Sequence, residues 1–224
     1  MQEQGDDVEL ELQIGVAKVG KYATSESGDT LEMVERPHGG LSLVLVDGQR
    51  SGRAAKRISN VVARKAISLL AEGVRDGAAA RAAHDYLRTY RRGKVSATLN
   101  IVSLDLSTRT IVISRNSHCP VLVVDEDGLR TLDESSQAIG VYPWTKPIIS
   151  ELPVAANTWV IVFTDGVLDA GHRFGTSLDV AGLVATFISQ GASNAPALAD
   201  TILAHAVELD HGRPQDDMSV LVLA

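Results

Sequence analysis

At 224 residues, 45% of them apolar and 22% charged, the chain can bury a core of ordinary size and is neither disordered nor fibrous. Its formal net charge of −7 argues against a nucleic-acid backbone as the main partner, and no apolar stretch approaches the roughly 20 residues that span a bilayer. A single cysteine excludes an internal disulfide and fits a reducing compartment, so the chain reads as cytoplasmic, with no membrane partner.

The opening VELELQIGVAKV (8–19) alternates apolar and polar residues, the mark of a half-buried strand. Gly28-Asp29 then forms a turn into a second strand. LSLVLV (41–46) is a continuous apolar run, which predicts a strand buried on both faces. From Ala54 to Leu70 the apolar residues fall at helical spacing, and Gly73 ends that helix. Asp76 is placed to cap a second helix, which closes ahead of Gly93 in a basic cluster of Arg88, Arg91, Arg92 and Lys94. That cluster reads as a solvated helix end, with a docking surface for an acidic or phosphorylated partner as the alternative.

Strands resume with SATLNIVSLDL, RTIVISR, PVLVVD and GLRTL, the last two joined by a hairpin turn at 125–128. After a Pro- and aromatic-containing loop come PIISEL and TWVIVF as strands. Two helices, SLDVAGLVATFIS and NAPALADTILAHAVEL, precede a last strand, MSVLVL. Strands and helices come in blocks, which predicts an antiparallel α+β architecture over a doubly wound parallel sheet. No repeat or linker divides the chain, so residues 1–224 are expected to form a single domain.

Several chemistries can be set aside. Gly15 to Lys21 has the spacing of a phosphate-binding P-loop, but Tyr22 stands where Ser or Thr must bind magnesium. Cys119 has Asp125 six residues on, where a cysteine-dependent phosphatase needs arginine, and reads as a core residue. No serine-nucleophile elbow is present. The six histidines lack metal-ligand spacing; His84 and His205 read as surface or packing residues of helices, and His118, in SRNSHCP, could approach a site from a strand-end loop but is not assigned to one.

Three aspartates remain: Asp47 in LVLVDGQRSG, Asp165 in VIVFTDGVLDA and Asp216 in RPQDDMSVLVL, each where an apolar run meets a short acidic turn. Alone, each is an ordinary turn residue. Pairing of distant strands could gather them. Two carboxylates about 5 Å apart repel by roughly 3 kcal/mol at an effective dielectric near 20, so a gathered set needs a cation. No Lys or Arg lies within two residues of Asp165, which makes a metal the simpler partner.

Taken together and in this order, SESGDT, VDGQRSG, SATLNIVSLD, FTDGVLDAG and QDDMSVLVL resemble the metal-dependent serine/threonine protein phosphatases of type 2C, most closely the bacterial sporulation and stress-response branch. The resemblance runs nearly end to end. It implies a four-layer αββα sandwich of two antiparallel sheets flanked by helix pairs, and two Mn²⁺ or Mg²⁺ ions. By motif, Asp47 would bridge the ions with the Gly48 carbonyl on one of them, and Asp165 and Asp216 would complete the other's shell. Asp29 would act directly or through water, Asp217 would support the shell by hydrogen bonds, and Asp169 is a weaker candidate for a further cation. The resemblance also implies hydrolysis of phosphoserine or phosphothreonine by a metal-bridging hydroxide, with a phosphorylated regulatory protein as substrate.

The loop after Asp47 departs from the family pattern. Gln49, Arg50 and Ser51 stand where glycine or histidine is usual, so the leaving-group acid has no counterpart there. No early arginine matches the family's phosphate-binding one, and Arg50 is the candidate for that role, a guanidinium being suited to bidentate phosphate contact. The same loop motivates one rival, an inactive phosphatase-like module that binds a phosphoprotein; a metal-dependent hydrolase of small phosphate esters is a second, enzymatic rival.

Overall fold

The structure, a computed structural model, describes residues 11–191 and 194–224. Ten strands form two five-stranded antiparallel sheets. In the first, β1 (Ile14–Val19), β10 (Met218–Leu223), β9 (Trp159–Phe163), β6 (Val121–Asp125) and β7 (Gly128–Leu132) lie in that order. In the second the order is β2 (Thr30–Glu35), β3 (Gly40–Gly48), β4 (Ala97–Asp105), β5 (Thr110–Asn116) and β8 (Ile148–Pro153). The expected α+β sandwich is present.

Three apolar clusters explain the layering. Leu43, Leu45, Val102 and Ile113 of the second sheet meet Val121, Val160, Val162 and Leu221 of the first between the sheets. Because successive strand residues face opposite ways, Val44, Val46, Leu99 and Ile101 face outward, onto α1 (Gly52–Ala71) and α2 (Asp76–Arg91). Ala17, Ile161, Phe163 and Val220 likewise face α4 (Val180–Ser189) and α5 (Ala195–Leu209). The apolar run in β3 is continuous because both of its faces are covered.

Local details depart from expectation in three places. The first strand begins at Ile14, and residues 8–10 of the expected run lie outside the described residues. Arg75, not Asp76, is the N-cap of α2; the Asp76 carboxylate instead accepts a hydrogen bond from Ser103 and pairs with Arg36 at 3.4 Å. The segment after β9 turns at once into the one-turn helix α3 (Asp165–Leu168), followed by a 3-10 turn at His172–Phe174. The rejected P-loop stretch is strand β1, where Gly15 lets α5 close in: a Cβ there would stand 2.2 Å from the Ala195 carbonyl oxygen. Among the described residues no helix is long and apolar enough to cross a membrane.

Candidate metal centre

Backbone pairing delivers the carboxylates in two sets. In the first sheet β9 and β10 are antiparallel neighbours, with Phe163 opposite Val220 and the Thr164 N–H donating to the Ser219 carbonyl at 3.1 Å. The end of β9 therefore lies beside the start of β10, which makes Asp165 and Asp216 neighbours. In the second sheet Asp47 is the penultimate residue of β3, opposite Thr98, while Asp29 leads into β2. Convergence is thus between the two packed sheets, not along one of them. Asp47, Asp165 and Asp216 line a single pocket of about 250 Å³ with Gln49, Arg50 and His118. Two larger hollows among the described residues, of about 440 and 580 Å³, have other linings.

Asp29 is the most enclosed of the set, 0% exposed, and it ties the sheets together. Its Oδ2 accepts hydrogen bonds from Ser219 Oγ of β10 at 2.6 Å and from Thr164 Oγ1 at 3.2 Å. Lys18 Nζ and Lys56 Nζ donate to its backbone carbonyl at 2.6 and 2.7 Å. Asp29 Oδ1 has no hydrogen-bond partner among the described residues. The Asp47 carboxyl lies close enough to share its proton with Asp29, and a cation beside that oxygen would take the proton's place.

Electrostatics points the same way. Burial pushes the Asp47 carboxyl up to about 9, with the nearby Asp29, Asp165 and Asp216 carboxylates adding to it. Asp29 is raised to about 6, again by burial first, with Asp217 adding and Ser219 opposing. Asp165 is raised by burial and then by Asp216, while His118 opposes. Without a cation the Asp47 carboxyl holds its proton near neutral pH. Among the described residues no three Asp, Glu, His or Cys side chains are gathered tightly enough to ligate an ion as they stand. The donor set, carboxylates around a half-exposed pocket with one orphaned oxygen behind it, fits hard divalent cations.

The remaining expected residues separate by role. Asp217 points away from the pocket: Oδ1 accepts the Lys21 N–H at 2.9 Å and Oδ2 the Gly28 N–H at 2.8 Å, so it pins both ends of the loop before Asp29. Asp169 lines an adjoining pocket of about 260 Å³ with Asp165 and Asp216, and pairs with His172 at 3.3 Å. Gly48 has a packing reason beyond its carbonyl. A Cβ there would lie 2.2 Å from the Ala55 carbonyl oxygen of α1, and one at Gly166 would lie 2.1 Å from that of Asp217. Arg50 is exposed at the pocket with φ +74°, a left-handed backbone unusual for arginine. Cys119 is buried, its thiol pushed up to about 12, and is inert core as expected.

Sequence reading missed Thr164, Ser219, Lys18 and Lys56, and left His118 outside the site. For Ser219 and Thr164 the available signal was position: Thr164 directly precedes Asp165, and Ser219 lies two residues after Asp217 at the start of β10.

Comparison with known proteins identifies the fold and the family. The family model described as Stage II sporulation protein E (SpoIIE) matches residues 37–224. Among solved structures, the type 2C phosphatase domain of Bacillus subtilis SpoIIE with a fragment of its regulatory domain superimposes with a TM-score of 0.80 at 20% identity, over 96% of this chain and 63% of that one. The chain thus spans under two thirds of that SpoIIE fragment. The Mycobacterium tuberculosis serine/threonine phosphatase PstP/Ppp gives a TM-score of 0.72 at 13% identity, over 96% of this chain and 98% of that one. RsbX in complex with magnesium gives 0.73 at 14%, over 95% and 94%. No curated protein matches the chain. The fold is therefore that of the type 2C phosphatases, and the chain belongs to the SpoIIE family.

Proposed function

We propose that the protein is a Mn²⁺- or Mg²⁺-dependent phosphatase of phosphoserine and phosphothreonine in proteins, acting as one domain in bacterial signalling or stress-response regulation. The observation that carries this reading is the single pocket lined by Asp47, Asp165, Asp216 and Arg50, drawn from two sheets, with the unpaired Asp29 oxygen behind it. Asp29, Asp47, Asp165, Asp216 and the Gly48 carbonyl would hold two ions. A complex of the PstP catalytic domain with two manganese ions supports that pairing, and a magnesium complex of RsbX supports the type of ion. When bound, such ions lower the pKa of water toward neutrality and clamp phosphate oxygens.

This chain's own residues do the rest. Asp47 gives up its proton as a cation arrives. Arg50, at the pocket rim, takes two phosphate oxygens and orients the ester for in-line displacement by water. Asp217 and Asp29 keep the loop before β2 in register so that the ligands do not drift. The partner is a phosphorylated regulatory protein; relatives of the same fold come from a stressosome system and from a protein carrying RsbU and RsbW domains. A net charge of −7 disfavours nucleic acid, and a cytoplasmic location fits the composition.

The Gln49–Ser51 loop favours one other reading, an inactive module that binds a phosphoprotein. One experiment separates them: hydrolysis of a panel of phosphoserine and phosphothreonine peptides with and without Mn²⁺. Metal-dependent turnover that is lost in Asp165→Asn supports the phosphatase. Binding of a phosphoprotein with no turnover supports the module, and faster turnover of small phosphate esters than of peptides supports a metabolite hydrolase.

A further inference from the structure

Displacing a seryl or threonyl oxygen from phosphorus needs a proton donor, because the alkoxide is far too basic to leave unprotonated near neutral pH. The carboxylates that line the pocket are committed to cations under the proposed function, on which this inference rests. A guanidinium is too weak an acid for this task, and an amide such as that of Gln49 is no acid. One pocket residue with a side chain that can carry a proton to a substrate oxygen remains, His118.

Its setting is unlike that of the other histidines. His118 lies in the short connection between β5 and β6, and its neighbours are locked. Asn116, Ser117 and Cys119 are each 1–2% exposed. Asn116 Nδ2 donates to the Gln137 carbonyl at 3.1 Å, the Ser117 N–H to Ser136 Oγ at 3.0 Å, and the Cys119 N–H to Ser117 Oγ at 3.0 Å. Arg115, buried at the end of β5, braces the far side through the Cys119 and Glu134 carbonyls at 3.3 and 2.9 Å. Out of this rigid turn only the His118 side chain is exposed, and it faces the pocket that holds Asp47, Asp165 and Asp216. A rigid mount is what a group that must meet a substrate atom requires.

We propose that His118 is a catalytic residue, the acid that protonates the departing seryl or threonyl oxygen. In the step a water oxygen forms the new bond to phosphorus and the bond from phosphorus to the ester oxygen breaks. The electron pair of that bond stays on the ester oxygen, which takes the imidazolium proton. The products are the free hydroxyl side chain and inorganic phosphate, and neutral His118 is reprotonated from solvent.

The test compares leaving groups. Wild type, His118→Ala and His118→Gln are assayed with Mn²⁺ on a phosphothreonine peptide and on p-nitrophenyl phosphate, whose phenolate departs without an acid. Melting temperature and Mn²⁺ binding by calorimetry are measured in parallel. The expected result is a fall of about 10²–10³-fold in kcat on the peptide, within the range of general acid catalysis. The loss on p-nitrophenyl phosphate should be at least tenfold smaller, with melting and Mn²⁺ affinity unchanged. Equal losses on both substrates, or none on either, overturn the assignment. Weakened Mn²⁺ binding in both variants makes His118 a ligand and overturns it as well. A wild type inactive on both substrates overturns the phosphatase reading first, and this step with it.

Discussion

Adjacent aspartates at 216 and 217 should respond to truncation in opposite ways. Asp217 is 2% exposed and accepts two backbone N–H groups, from Lys21 at 2.9 Å and Gly28 at 2.8 Å. Hydrogen bonds to a charged acceptor are worth about 1.5–3 kcal/mol each. The Gly28 bond is buried and that of Lys21 only partly so; water can reclaim the latter, which places Asp217→Ala at the low end, a loss of about 3 kcal/mol. For a chain of this size each kcal/mol shifts the midpoint by about 2–4 °C, so melting should fall by about 6–12 °C. Asp216 is half-buried, accepts a hydrogen bond from the Asp217 N–H at 2.9 Å, and adds to the repulsion on Asp47 and Asp165. Asp216→Ala should therefore melt, without metal, at or slightly above the wild-type temperature while losing Mn²⁺ binding. Thermal melts followed by circular dichroism, in the presence of chelator, check both. The reasoning is refuted if Asp217→Ala melts within about 2 °C of wild type, or if the two variants fall equally.

Three further outcomes follow from the geometry. Gly48→Ala puts a methyl 2.2 Å from the Ala55 carbonyl oxygen; overpacking of this kind costs about 1–3 kcal/mol, so melting should drop by about 2–12 °C, and an unchanged midpoint would mean α1 does not rest there. Asp47 lies at about 9, above its ordinary 3.8. Its contribution to the metal-free fold is thus full below about pH 4 and lost as pH rises through about 9. Cation binding must displace that proton, so apparent Mn²⁺ affinity should rise with pH between about 6 and 9, and calorimetry in buffers of different ionisation enthalpy should find about one proton released. Absence of proton release contradicts it. Arg50→Gly, which suits the left-handed backbone, should leave melting unchanged or raised yet increase KM for a phosphopeptide about tenfold or more, the equivalent of one charged hydrogen bond. Unchanged KM and kcat would remove Arg50 from phosphate recognition.

Much of this was legible in the chain because burial imposes period. The alternation around β1, the continuous run of β3 and the helical spacing of α1 each report which faces are covered, and their block order reports the sandwich. Asp47, Asp165 and Asp216 could be found because apolar runs end at them. The one-turn helix α3 could not, since four residues are too few to show a helical period. The grip on Asp29 was also hidden: Ser219 and Thr164 lie 190 and 135 residues away in sequence, and only the packing of two sheets brings them to it. His118 escaped for the same reason, its approach to Asp165 being set by a turn whose hydrogen bonds run to residues 134–137. The reason for Gly48 was incomplete, because α1 presses on it from a neighbouring layer that local sequence does not reveal.

The central claim is that carboxylates from two sheets form one cation site. Anomalous diffraction at the manganese edge from crystals soaked in Mn²⁺ tests it directly. The account predicts two peaks in the pocket between Asp47, Asp165 and Asp216, with Asp29 against one of them. A pocket without a peak, in crystals whose carboxylates are deprotonated and accessible to solvent, would contradict it.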